Sequence, residues 1–169
     1  MANEKVKTEK SGKRKKSTQV EVSVILPVYN EEDNIVRQYE KLTSSMHKIG
    51  KKYEIIFVDD STDHTPEVIK RVQAENANVR MEHRESEKGL ATAVLKGFSL
   101  ASGDYIDVMD ADLQHPPSIL RAMYAVMESG ADFCVPSRFI PGGSDGGLGP
   151  YRKLVSGVAR YIGKILLPC

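Results

Sequence analysis

The sequence predicts an α/β fold, a mostly parallel sheet flanked by helices, and three observations predict it. Short runs that are nearly continuously apolar and rich in β-branched residues recur along the chain, as strands covered on both faces do. Segments with apolar residues at helical spacing lie between them. The links between the two kinds of segment are short, and strand alternating with helix in this way builds a parallel sheet. With 169 residues the chain is long enough for one domain with a substantial core. Its 40% hydrophobic and 28% charged residues are those of a soluble globular protein.

The first 18 residues stand apart. They carry seven Lys or Arg against two Glu, so the formal net charge of +1 divides into +5 on this tail and −4 on residues 19–169. With almost no apolar residues the tail cannot bury enough surface to order itself, and it lacks the apolar centre of a signal peptide. Residues 1–18 are therefore read as a disordered basic tail, 19–150 as the folded domain and 151–169 as an amphipathic helix. A basic tail can touch anionic lipid, nucleic acid or nothing. The folded part is net negative with no aromatic-basic interleaving, which argues against nucleic acid. Cys134 and Cys169 make no disulfide framework and no zinc spacing, which fits a reducing setting. No run reaches the ~18 apolar residues of a membrane span.

Val22–Val28 opens the sheet. Asn30-Glu31-Glu32-Asp33 is expected to cap a helix whose apolar face is Ile35, Tyr39, Leu42, Met46 and Ile49, ended by Gly50. Tyr53–Val58 is a second strand, followed by Thr65-Pro66, a cap with proline at the first helical position, and by Val68, Ile69 and Val72 on one helix face. A weaker strand runs from Val79 to Arg84, and a helix of small and apolar residues from Gly89 to Leu100. Tyr105-Ile106-Asp107-Val108 is the next strand. A helix from about Pro117 to Glu128 follows, then Ala131–Pro136 as an expected fifth strand.

Polar clusters sit at three strand ends: Tyr29-Asn30-Glu31, Asp59-Asp60 and Asp110-Ala111-Asp112. In an open parallel sheet these ends share one edge, where ligands bind. Asp110, Asp112 and Gln114 are hard oxygen donors, which suit Mg²⁺ or Mn²⁺ shared with substrate phosphates better than zinc. A lone D-x-D is equally a solvated turn. There is no G-x-G-x-x-G after the first strand and no P-loop. Carboxylates alone would repel a nucleotide diphosphate, and a bridging divalent ion removes that conflict. Asp60 would then be free to accept hydrogen bonds from ribose or base. Asp59 is read as a turn cap, and His115, in a proline-locked turn, as structural.

Val24-Ile-Leu-Pro-Val-Tyr-Asn-Glu31, Val58-Asp-Asp-Ser61 and Met109-Asp-Ala-Asp-Leu-Gln-His-Pro-Pro117, in that order and spacing, closely resemble the family 2 glycosyltransferases of the GT-A fold. Within them the chain is most similar to the dolichyl (polyprenyl) phosphate mannosyltransferase branch. The resemblance implies inverting transfer of a sugar, mannose from GDP-mannose before other donors, to a polyprenyl or dolichyl phosphate at the cytoplasmic face of a membrane. Another family 2 transfer, such as UDP-glucose to a lipid phosphate or a glycan, and a noncatalytic nucleotide-sugar-binding module are the alternatives. By position the resemblance implies that Pro27, Tyr29, Glu31, Val58 and Asp60 contact the nucleotide. Asp112 and Gln114 would hold the metal, Asp110 and Ala111 would line the diphosphate with Asp110 a further candidate ligand, and Arg138 would hold a phosphate beside the reacting centre.

A phosphomonoester acceptor is already an anion at neutral pH, so it needs positioning but no general base. Pro141–Gly149 is glycine-rich and expected to act as a lid. Tyr151–Pro168 puts Leu154, Val155, Val158, Ile162, Ile165 and Leu166 on one stripe and is expected at a membrane interface. The mannosyltransferase branch continues with an Asp-Pro-x-Ser-Gly-Phe type segment and further basic residues. The chain is accordingly expected to be a truncated form that binds nucleotide and metal more reliably than it turns over.

Overall fold

Seven consecutive buried residues, Val22–Val28, form β1 at the heart of the sheet. The computed structural model describes residues 20–86 and 88–137, with Gly149 and Gly157. Helix α1 (Ile35–Ile49) follows, then β2 (Tyr53–Asp59), α2 (Thr65–Glu75), β3 (Val79–His83), α3 (Leu90–Leu100), β4 (Tyr105–Val108), a 3₁₀ turn over Pro117–Ile119 and α4 (Leu120–Glu128). All three strand pairings are parallel and the order is β3-β2-β1-β4. This is the α/β sheet expected.

The period-two alternation of β1 explains the layers. Val22, Val24, Leu26 and Val28 join Ile55 and Phe57 of β2 against Ile35, Leu42 and Met46 of α1 and Ile69 of α2. Ile25, Ile56 and Val58 point to the other face and pack on Ala93 of α3. Continuous apolar strands are what two covered faces require.

Two expectations about element ends need correcting. Asn30 does not cap α1: its φ of 55° is left-handed, and the helix starts only at Ile35, with no acidic residue in its first turn. Asn30 spends its polar groups on the neighbouring loop instead, donating its N–H to Ser61 Oγ at 2.8 Å and accepting the Thr62 N–H at 2.9 Å. Thr65 likewise does not cap α2, which starts at Thr65 itself; its hydroxyl accepts the Glu31 N–H at 2.9 Å, while Asp63 Oδ1 accepts the Thr65 N–H at 3.0 Å. Gly50 does end α1, at φ 71°.

The expected fifth strand, Ala131–Pro136, is not a strand. Its large apolar residues are exposed, Phe133 81% and Val135 65%. An apolar run becomes a strand only against a partner ladder, and among the described residues β4 pairs with β1 alone.

Candidate functional site

The chain leaves β1 for β2 and β3 on one side and returns to β4 on the other, so the order of strands reverses between β1 and β4. Their carboxyl ends form the crevice where ligands bind in such sheets. All three polar clusters lie at this edge, on the neighbouring strands β2, β1 and β4.

A cleft of about 480 Å³ opens there, lined by Pro27, Val28, Tyr29, Asp60, Lys88, Gly89, Leu90 and Ala93. Tyr29 projects into solvent, 61% exposed. Asp60 lines the cleft but is already engaged: Oδ1 accepts Arg84 Nε at 2.7 Å, and Oδ2 accepts Arg84 Nη2 at 2.6 Å and the Gly89 N–H at 2.9 Å. Burial pushes its carboxyl up, but the Arg84 guanidinium and the Gly89 N–H outweigh burial and hold it below the usual carboxylate range. Gly89 makes this bond at φ 126°, a conformation that favours glycine. The expectation of a free Asp60 is thus replaced by a bidentate pair that leaves part of Oδ1 for a ligand. Asp59 is fully buried; its Oδ1 accepts the Ser61 N–H at 3.1 Å, as a turn cap does, and its Oδ2 meets His83 Nδ1 at 2.6 Å.

Glu31 is half-buried at the start of the next turn, and its Oε2 accepts Asn34 Nδ2 at 2.6 Å. The Val58 side chain is fully buried on the α3 face, so any ligand contact from Val58 comes from its main chain.

At the end of β4, Ala111 is buried while Asp110 and Asp112 are half-exposed. Leu113, at φ 64°, turns the chain, and Asp112 Oδ1 accepts the Gln114 N–H at 3.0 Å. One ligand atom each from Asp110, Asp112 and His115 lies within 4.8 Å of the other two. His115, read as structural for want of a partner, has one: its Nδ1 is 3.4 Å from Asp110 Oδ2. Gln114 is exposed.

Asp107 stands behind them with a buried Oδ2 that has no hydrogen-bond partner. The two carboxylates, Asp110 and Asp112, and the imidazole of His115 offer oxygen and nitrogen donors that fit Mn²⁺ or Mg²⁺. The sequence did not single out Arg84, Lys88, Gly89 or His115 as site residues. Only Arg84 left a trace, as a cation directly after a strand.

Arg138 lies outside the described residues, as do residues 1–18, the segment Pro141–Gly149 expected to act as a lid, save Gly149, and the segment 151–169 expected to be a helix, save Gly157. No described helix is long and apolar enough to cross a membrane.

The family model of glycosyl transferase family 2 matches residues 23–166. The dolichol-phosphate mannosyltransferase of Pyrococcus furiosus is 40% identical over 150 residues, which are 88% of this chain and 42% of that protein. The Saccharomyces cerevisiae protein of the same name is also 40% identical over 150 residues, covering 87% of this chain and 56% of its own. The chain thus spans about half the length of the relatives it matches. Among solved structures, a mannosyltransferase of Pyrobaculum calidifontis in complex with GDP-Man and Mn²⁺ superposes with a TM-score of 0.57 at 25% identity, covering 72% of this chain and 37% of that one. TarS of S. aureus in complex with UDP-GlcNAc, with a TM-score of 0.52 at 22% identity over 70% of this chain and 38% of its own, shares the fold. That fold is GT-A, as expected from the sequence motifs.

Proposed function

Because this chain belongs to glycosyl transferase family 2, we propose that it carries the donor-binding part of an inverting mannosyltransferase acting from GDP-mannose onto a dolichyl or polyprenyl phosphate at the cytoplasmic face of a membrane. The observation that carries the reading is the convergence of Asp110, Asp112 and His115 at the switch point, beside a cleft walled by Tyr29 and Asp60. Relatives of the chain are named for mannosyl transfer to dolichol phosphate, and a structural neighbour holds GDP-Man with Mn²⁺. These names support the choice of donor, acceptor and ion.

In this reading the cleft takes the nucleoside. Tyr29 offers an exposed ring for the base, and the free lone pair of Asp60 Oδ1 accepts a base or ribose donor. Asp110 and Asp112 would hold the divalent cation, with Gln114 or His115 completing the set. Bound there, the cation supplies charge neutralisation for the departing diphosphate. Ala111, small and buried between the two carboxylates, lets the diphosphate approach the backbone. Arg138, by its place in the motif, would hold a phosphate, a role its planar guanidinium suits. The acceptor phosphate is an anion at neutral pH, so attack on the anomeric carbon requires its orientation and no proton abstraction.

Calorimetry of GDP-mannose and UDP-glucose, with and without Mn²⁺, on the native chain and on Asp112→Ala tests the reading. We expect Mn²⁺-dependent binding of GDP-mannose that the substitution abolishes, while the melting temperature moves little, because a half-exposed loop carboxylate adds little to core stability. Unchanged binding without Asp112 would refute the metal assignment. Preference for UDP-glucose would move the donor assignment to another family 2 sugar.

A further inference from the structure

We propose that Gln38, on the buried face of α1, is a positioning residue that sets the cation-binding loop. The inference rests on the reading of that loop given above. Gln38 is 0% exposed, and its amide meets little that satisfies it. Nε2 lies 3.3 Å from Met109 Sδ and 3.3 Å from the Asp110 carbonyl oxygen. Oε1 is buried with no partner at all. Sulfur is a weak acceptor, so the Asp110 carbonyl is the one strong partner this side chain has. Only a donor can face that carbonyl, which determines which way the amide points.

For stability alone the position calls for a different residue. Gln38 follows Ile35 and precedes Leu42 and Met46 on the apolar face of α1, all of them buried. A leucine would continue that face without stranding a buried oxygen, and an unsatisfied buried acceptor destabilises a fold. The amide therefore works against the core it sits in. What it adds is a tether.

The β1–β4 ladder ends where the Met109 N–H meets the Ile25 carbonyl at 3.0 Å. The carbonyl of Asp110, one residue further on, lies directly before Ala111 and Asp112, and among the described residues it accepts no other hydrogen bond. Gln38 thus reaches from a helix in the core to the backbone between the two carboxylates. Second-layer contacts of this kind orient a metal-binding group without touching the metal.

Gln38→Leu tests the proposal, with Gln38→Met, of equal length and no N–H, carrying the same measurements if the leucine variant does not fold. Three readouts are taken: thermal melting, hydrogen–deuterium exchange of residues 109–114 in the metal-free chain, and Mn²⁺ titration in the presence of GDP followed by electron paramagnetic resonance. We expect a melting temperature equal to or above that of the native chain, faster exchange over residues 109–114, and Mn²⁺ affinity weakened about tenfold. A purely structural role would do the reverse, lowering the melting temperature and leaving the Mn²⁺ affinity of the folded chain as it was. Unchanged exchange together with unchanged Mn²⁺ affinity would overturn the inference. Absence of Mn²⁺ binding in the native chain would overturn the functional reading instead, and the exchange comparison would still decide whether Gln38 holds the loop.

Discussion

Asp107 carries a charge that burial makes costly. On β4 its side chain shares the sheet face of Tyr105 and Met109, and its buried Oδ2 has no partner. Burial pushes its carboxyl from 3.8 up to about 6, against a smaller lowering by His115. The folded chain therefore binds a proton more tightly than the unfolded one, so stability falls as pH rises between those values and stays lower above them. Asp60, held below the usual range, has the opposite sign: its contribution is present at neutral pH and is lost on acidification. Chemical denaturation with metal chelated should show the native chain losing about 2–3 kcal/mol from Asp107 between about pH 4 and pH 7.5, a loss absent in Asp107→Asn. Equal pH profiles would mean that Asp107 is paired after all. At this scale Asp110 and Asp112 were legible because a D-x-D after an apolar run is a pattern within one segment. His115, Arg84 and Gln38 were not, because their partners, Asp110, Asp60 and the Asp110 carbonyl, are brought to them only by a turn or by the packing of separate elements.

Between elements, α3 packs tightly on β1 at Gly97. A Cβ added at Gly97 would stand 2.3 Å from Ile25 Cγ2, a branched methyl on a residue that is 0% exposed. Alanine in a helix interior normally gains roughly 1 kcal/mol over glycine, but overpacking a full core costs about 1–3 kcal/mol. Here the methyl is rooted at Cβ and cannot swing away, so Gly97→Ala should destabilise by about 2 kcal/mol net. Urea unfolding measures it, and a stabilised variant would show that α3 sits looser on the sheet. The same end of the sheet is bolted by Glu54, whose buried carboxylate accepts Ser23 Oγ at 2.7 Å, the Ser102 N–H at 2.8 Å and Arg80 Nη1 at 3.0 Å. Strands β1 and β2 and the helices were readable because their apolar residues are buried, whereas β4, with Ile106 and Val108 exposed, was readable only from its composition. The fifth strand misled because Phe133, Cys134 and Val135 have the composition of a strand but pair with no strand among the described residues, and composition carries no information about neighbours.

Across the whole molecule, the crevice was foreseeable from three polar clusters at three strand ends, whereas the pairing of β1 with β4 came only from the structure. If the edge binds a nucleotide with its cation, binding must stabilise the entire fold. At about a hundredfold excess over Kd the gain is about 2.7 kcal/mol, or roughly 5–10 °C in melting temperature for a domain of this size. GDP with Mn²⁺ should produce that rise and chelator should cancel it; a rise with GDP alone would detach the cation from the site. The strand order has a further effect on how the protein comes into being. The ladder from β1 through β2 to β3 joins strands that follow one another, so it can assemble while the rest is still being synthesised. Val22 and Tyr105, by contrast, can meet only after β2, β3 and the helices between them have emerged, and pairing across such a separation is slow. Nascent chains would thus acquire a nearly formed sheet before they acquire ligand competence, and nucleotide capture on the ribosome would mark the moment β4 docks.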